Sequence, residues 1–381
     1  MKKICFITTV SLTMKAFVVE SAKYLHNEGG YDITLICNDD KEFSDSLPDY
    51  IKFIPVSMAR GVDLSAFSSI LQFIRIFKKE KFDLIQYSTP NASLYASIAG
   101  LLAGVKLRIY SQCGLRYVSF EGFKRKFFKI FERLTCKLST YVRAQSPMNM
   151  EFAIEENLCP RKKISVIGIG GTIGVDLKEC RSFDHNEVKA ELREKYGIPK
   201  DAFVYGYVGR INEDKGTNEL ITAFSKLSEQ KEDTYLALVG MLDDANPIKP
   251  ENLKTAQTNS RIIMTGNVPL DEVYPHMAMF DVLVHPTYRE GFGKVLQEAM
   301  GVGLPIITTD VPGPSEVIEN NISGILCKVK DSEDLCEKML LLYKNEELLN
   351  SFVKAGSERA EKYFDRPIML KNILESMKSI L

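Results

Sequence analysis

Two glutamates, Glu290 and Glu298, frame a Gly-x-Gly turn in the stretch HPTYREGFGKVLQEAMGVGLPIITTDVPGPSE, residues 285–316. A helix that starts near Gly293 leaves its first backbone N–H groups unpaired and carries a partial positive charge at that end, which suits a phosphate. Gly291, Phe292 and Gly293 bring main-chain amides to the same place, and Lys294 puts a cation in the first turn. A diphosphate needs further cations, and the run FVYGYVGR followed by Lys215-Gly216 offers Arg210 and Lys215 beside a glycine turn at Gly209. Glu290 precedes the helix, while Glu298 lies two turns in, about 8 Å along the axis at about 1.5 Å per residue. One carboxylate can then accept hydroxyls from a sugar and the other from a ribose. The constellation fits a nucleotide-sugar site.

The segments around these residues alternate in period. KICFITTV, DITLICN, IKFIPV, FDLIQYS, KLRIYSQ, YVRAQS and KISVIGIG read as buried strands in the first half; FVYGYVGR, TYLALVG, RIIMTGNV, DVLVHPT, LPIITTD and GILCKV do so in the second. Helix-period segments such as MKAFVVESAKYLHNEG and LYASIAGLLAGV lie between them. Strands alternating with helices imply right-handed crossovers and parallel sheets. A chain of 381 residues exceeds what one core usually organises, so the expected architecture is α/β with two doubly wound, Rossmann-like units. The expected division is 1–168, 169–366 and a last helix, 367–381. Gly168, Gly170, Gly171 and Gly174 superficially suggest a dinucleotide fingerprint, but they run into Val175-Asp176 and a polar stretch to Asn186, so they read as a hinge and not the opening of a buried helix.

Glu290 and Glu298 at this spacing, Gly209-Arg210 with Lys215-Gly216, and the run Leu304-Pro305-Ile306-Ile307 together resemble the signature of the retaining glycosyltransferases called group 1 or family 4. The resemblance spans nearly the whole chain. It implies the GT-B fold, with an acceptor-binding first domain and a nucleotide-sugar-binding second domain facing a cleft, and a last helix that returns to the first domain. It also implies a hexosyltransferase that moves a sugar, an N-acetylhexosamine or a hexose, from a UDP-sugar. Glu290, Arg210 and Lys215 take the catalytic positions, with Glu298 at the ribose, Asn267 and Val268 at the uracil, and the turn Val311–Pro314 with Glu316 covering the donor. The segment Thr8–Phe17, with Gly114-Leu115-Arg116 and GFKRKFFKIFERLTC, resembles the subgroup that extends polyprenyl-diphosphate-linked saccharides; Lys15, Cys113 and Arg116 are the acceptor-side candidates. Relatives often carry a histidine after the fourth strand of the first domain, where this chain reads Ser111-Gln112-Cys113-Gly114. Two other readings stand beside this one: a nucleotide-sugar 2-epimerase on the same fold, and a non-catalytic partner of a transferase.

No Asp-x-Asp stands where a metal would hold the diphosphate, so neither metal nor cofactor is expected, and the cations must neutralise the leaving group. Eight cysteines without a C-x-x-C pair and only four histidines argue for a reducing cytosol and against structural zinc. Residues 1–165 hold 24 Lys and Arg against 16 Asp and Glu, whereas the remainder holds 25 against 34. A basic first half points to an anionic surface or ligand and not, in this context, to nucleic acid. The segment from Gly122 to Leu134 puts Phe123, Phe127, Ile130, Phe131 and Leu134 on one helical stripe flanked by Lys124, Arg125, Lys126, Lys129 and Arg133. Such a helix either lies in an anionic lipid interface or packs as core. The first reading places the protein peripherally on the inner face of the cytoplasmic membrane.

Overall fold

The computed structural model describes the chain except residues 59–64 and the side chains of Ser65, Arg116 and Ser119. Its contacts separate two compact units, one of Met1–Ile173 with Pro367–Leu381 and one of Gly174–Arg366. The first contains β1 (Lys3–Ile7), β2 (Asp32–Cys37), β3 (Ile51–Pro55), β4 (Leu84–Tyr87), β5 (Leu107–Gln112), β6 (Tyr141–Ala144) and β7 (Ile164–Ser165). They form one parallel sheet in the order β3-β2-β1-β4-β5-β6-β7. The alternation of strand side chains divides the core in two. Cys5 and Ile7 pack with Phe73, Phe77, Tyr95 and Tyr110 on one side. Ile4 and Phe6 face Leu25, Leu35 and the helix Arg366–Ile380, which contributes Leu370, Ile373, Leu374 and Met377 on the other.

The second unit contains β8 (Phe203–Val208), β9 (Thr234–Val239), β10 (Ile262–Gly266), β11 (Val282–His285), β12 (Ile306–Thr309) and β13 (Ile325–Cys327), again all parallel, in the order β10-β9-β8-β11-β12-β13. Both sheets are of the expected doubly wound kind. Strand order reverses between β1 and β4 in one and between β8 and β11 in the other. Loops diverge at such a point and leave a crevice at the carboxyl ends of the strands.

Two sequence expectations change locally. The stretch after the glycine run is not a plain polar connection. Asp176 accepts a hydrogen bond from the Glu179 amide at 3.0 Å and caps a short helix, Leu177–Cys180, whose Leu177 and Cys180 are buried against Gly301. The segment expected as one helix after β1 is two, Ser11–Phe17 and Val19–Gly29, broken at Val18. Among the described residues no helix is long and apolar enough to cross a membrane.

A buried ion pair ties the helix His185–Lys195 to the second sheet. Arg193 is 4% exposed; it donates to Asp281 Oδ2 at 2.8 Å and to the carbonyls of Met279 and Ala202, and the same carboxylate oxygen accepts from the Val204 amide at 2.7 Å. Removing one partner of such a pair strands the other, whereas exposed pairs such as Lys226–Glu333 contribute little. Arg193→Ala is therefore expected to lower unfolding stability by about 3 kcal/mol in urea titration, and Lys226→Ala by less than about 1 kcal/mol. Equal effects would show that Arg193 is not the tie.

Candidate active site

The loops after β8 and β11 meet at the switch point of the second sheet, because these two strands are direct neighbours, with Tyr205 opposite Val282. The first loop is shaped by Asn212, only 2% exposed, whose Oδ1 accepts from the Lys215 amide at 3.0 Å and whose carbonyl accepts from Thr217 Oγ1 at 2.7 Å. Gly216 follows in the left-handed region (φ 68°) and starts the helix Thr217–Gln230. A Cβ there would lie 1.9 Å from the carbonyl oxygen of Pro286, so only glycine permits this approach of the two loops.

Several polar contacts fasten one loop to the other. Lys215 Nζ donates to Glu290 Oε2 in a short ion pair. Arg289 Nη2 donates to Asp214 Oδ2 at 2.6 Å, and the Tyr288 amide donates to the Asp214 carbonyl at 2.8 Å. Burial pushes the Glu290 carboxyl upward, but Lys215, with Arg289 nearby, outweighs it and holds the group below its usual value. Behind this pair lies His285, 2% exposed and stacked on Tyr207 at 5.9 Å, with neither ring nitrogen hydrogen-bonded among the described residues. Its burial, with Lys215 close by, pushes the imidazole down to about 3, so it is neutral at physiological pH.

Glu290 leads through Gly291 and Phe292 to Gly293 (φ 91°), the N-cap of the helix Lys294–Val302. Gly293 has no side chain to cap the helix; the Leu296 amide donates to the Gly293 carbonyl at 3.1 Å, and among the described residues no side chain caps the amides before it. Phe292 is buried against Phe364, with ring centroids 5.8 Å apart, so it can offer a ligand only its backbone. Gly313 packs on the carbonyl oxygens of Glu290 and Gly291, each 2.9 Å from where a Cβ would stand. Its amide is held by Glu316 Oε2 at 3.0 Å within the same turn, at the start of the helix Pro314–Val317.

Lys215, Glu290, Gly291, Phe292 and Gly293 thus stand together, with Glu298 further along the same helix. Arg210 differs from expectation. Its side chain is 65% exposed and pairs with Asp243, Nη1 to Oδ2 at 2.6 Å. Lys294 also has a protein partner, Glu298 Oε1 at 2.7 Å one turn on, which accounts for a cation in the first turn without a phosphate. Gly209 follows β8 with a positive φ of 146°, a conformation that favours glycine; Asn267 is exposed and Val268 half-buried just after β10. Asn212, Asp214, Asp243 and His285 shape the site although sequence reasoning gave the first three no part in it. Their signal was position alone, within or facing the Gly209–Gly216 turn. Among the described residues no group of three or more His, Cys, Asp or Glu is placed to hold a metal ion.

In the first unit, Lys15 lies in the last turn of Ser11–Phe17 with Nζ 5.8 Å from the Phe43 ring centroid. Cys113 follows β5, the fifth strand of this unit and not the fourth as the sequence suggested, at the rim of a cavity, where its sulfur accepts from Gln145 Nε2 at 3.6 Å and the surrounding protein pushes its thiol up to about 12. Arg116 opens a 3-10 turn, Arg116–Ser119, and its side chain lies outside the described residues.

Two family descriptions match the chain: "Glycosyl transferase 4-like" over residues 3–146 and "Glycosyl transferases group 1" over residues 188–359. The chain is 32% identical over 350 residues to the capsular polysaccharide biosynthesis glycosyltransferase CapM of Staphylococcus aureus, covering 91% of this chain and 89% of that one. It is 26% identical over 320 residues to a UDP-Gal:α-D-GlcNAc-diphosphoundecaprenol α-1,3-galactosyltransferase of Escherichia coli, covering 81% and 79%. It is also 26% identical over 345 residues to the N,N'-diacetylbacillosaminyl-diphospho-undecaprenol α-1,3-N-acetylgalactosaminyltransferase of Campylobacter jejuni, covering 88% of each. HepE of Anabaena, crystallised with UDP and glucose, shares the fold over the full length of both chains at a TM-score of 0.82 and 19% identity. With two parallel-sheet units and this extent of similarity, the chain belongs to the group 1 glycosyltransferases of the family 4-like type and has the GT-B fold.

Proposed function

We propose that the protein is a retaining transferase that moves an N-acetylhexosamine or a hexose from a UDP-sugar to a lipid-diphosphate-linked saccharide in surface-glycan synthesis. The observation that carries this reading is the Lys215–Glu290 pair, held between two glycine-started helices at the switch point of the second sheet. A cation paired with a carboxylate can exchange partners when a ligand brings both charge and hydroxyls. Lys215 would turn to the diphosphate while Glu290 accepts a hydroxyl of the sugar. The relatives from E. coli and C. jejuni, whose names specify diphosphoundecaprenol-linked acceptors, support the choice of acceptor.

In this reading the bond from the anomeric carbon to the diphosphate oxygen breaks on the face that the acceptor hydroxyl approaches. A new bond forms from that carbon to the acceptor oxygen, and the hydroxyl proton passes to the departing diphosphate. Lys215, Arg210 and the amides at the start of Lys294–Val302 stabilise the charge that develops there, the work a metal ion performs in other sites. Glu298 accepts the ribose hydroxyls, and Asn267 and Val268 border the uracil. Both cations must leave a carboxylate to take part, but Arg210 is 65% exposed and Lys215 only 17%, so solvent screens Arg210 more and its contribution is the smaller.

The first unit would bring the enzyme to its acceptor through the helix Gly122–Leu138. Phe123 is 83% and Ile130 62% exposed, with Phe127 and Phe131 along the same stripe. Of the five cations read as its flanks, three turn to the protein: Lys129 meets Glu156 at 2.5 Å, Arg125 the same carboxylate at 3.7 Å, and Arg133 the Asn157 carbonyl at 2.9 Å. Lys124, Lys126 and, despite its bond, Arg133 remain exposed. Attachment therefore rests more on inserted aromatic and aliphatic side chains than on charge.

Two measurements check these proposals. Lys215→Met should lower kcat by about 10²–10³-fold and Arg210→Ala by less, with the parent rate unchanged in excess chelator; turnover within a few-fold of the parent in both variants would remove the leaving-group assignment, and activity that dies in chelator and returns with magnesium would contradict metal independence. Sedimentation of the parent with phosphatidylglycerol vesicles at low salt should be lost in Phe123→Glu/Ile130→Glu and only reduced in Lys124→Glu/Lys126→Glu, since each cation adds about 1 kcal/mol. Equal sedimentation of parent and both variants would make the helix a packing element alone.

A further inference from the structure

The first unit has a cavity of about 60 Å³ at the carboxyl ends of β1, β4, β5 and β6, beside the switch point of its sheet. It reaches the surface, because Phe17 and Cys113 line it and are exposed. One wall is Arg143, which is 4% exposed and lies opposite Ser111 in the β5–β6 register. Its Nη1 donates to Gln86 Oε1 at 3.2 Å; its Nη2 donates to Ser376 Oγ at 3.0 Å, with Met377 Sδ at 3.8 Å. Gln86 Nε2 passes the chain on to Ser111 Oγ at 3.0 Å. Among the described residues none of these partners is a carboxylate.

An arginine stays charged, and a charge taken out of water is expensive unless an opposite charge accompanies it. Burial lowers the Arg143 pKa only to about 10, so the cation persists at neutral pH. Arg193 of the second unit, equally buried, has Asp281. Arg143 touches the helix Arg366–Ile380 through Ser376 and Met377, close to its carboxyl end, which carries about half an elementary negative charge. A second group in the same wall is also unmet. Gln145 is 7% exposed; among the described residues its Oε1 has no hydrogen-bond partner and its Nε2 reaches only the sulfur of Cys113. A void that holds a single water needs about 10–15 Å³ on this scale, so the cavity has room for a small polyatomic ion.

We propose that this cavity binds a phosphate group, with Arg143 as its counter-charge and a protonated phosphate oxygen donating to Gln145 Oε1. Ser88 and Ser111, which also line it, bring further hydroxyls. The site belongs to the first unit and does not rest on the donor assignment made for the second. The phosphate is either the free inorganic ion or the diphosphate of a saccharide acceptor.

Calorimetric titration of the full chain at low ionic strength separates these sources, using potassium phosphate in one arm and a short-chain alkyl diphosphate ester of N-acetylglucosamine in the other. The parent should bind at one site, with Arg143→Met weakening the interaction about tenfold or more and Gln145→Leu several-fold. Preference for the ester assigns the site to an acceptor, and equal or better binding of inorganic phosphate assigns it to the free ion. Without ligand, Arg143→Met should unfold at the parent's temperature or above, because it removes an uncompensated charge, and phosphate should raise the unfolding temperature of the parent but not of the variant. The proposal is overturned if neither compound binds the parent, or if Arg143→Met binds as the parent does. Should Arg143→Met fail to fold, unchanged affinity in Gln145→Leu overturns it.

Discussion

The candidate site depends on the close approach of two loops at the ends of neighbouring parallel strands. The order β10-β9-β8-β11-β12-β13 sends the chain away in opposite directions after β8 and β11, so nothing in the sheet itself closes the gap. Gly216 allows the gap to close by letting the Pro286 carbonyl occupy the space of a side chain. Lys215–Glu290 and Asp214–Arg289 then join the loops by charge. This arrangement leaves two helix starts, at Thr217 and Lys294, with a cation and a carboxylate beside them. A diphosphate needs the first and a sugar the second, and both come from one contact.

Much of the fold was legible because buried parallel strands read as short apolar runs, and all thirteen that the periodicity marks are present. The ordered motif Gly209-Arg210, Lys215-Gly216, Glu290 and Glu298 was legible for a related reason: glycines and charges at strand ends have few structural uses. What the sequence left hidden were the partners. Asp243, which engages Arg210, lies 33 residues away and follows a different strand. The Lys294–Glu298 pair was visible as an i,i+4 spacing, yet a phosphate explains a first-turn lysine equally well until the side chains are placed. Likewise a helical projection cannot show that Glu156, at the end of the next helix, pairs with Lys129 and Arg125. Arg143 carried a signal that was passed over, a charge in the middle of the buried run YVRAQS.

The two units handle charge differently. In the second, Arg193, Lys215 and Arg289 each have an acid close by. In the first, Arg143 is buried among neutral groups, and the helix Arg366–Ile380 supplies two of its contacts through Ser376 and Met377. A protein retains such an arrangement at a cost to stability, which a bound anion would offset. The exposed stripe of Gly122–Leu138 is a second feature of that unit that packing alone leaves incomplete.

The account turns on Lys215 and Glu290 exchanging each other for a donor. A crystal structure of the full chain with UDP and a non-transferable fluorinated sugar donor tests this most directly. The account predicts Lys215 Nζ within hydrogen-bond distance of a phosphate oxygen, Glu290 on a sugar hydroxyl, and the diphosphate at the start of the helix Lys294–Val302. A donor bound with the Lys215–Glu290 pair intact and its phosphates elsewhere would contradict it.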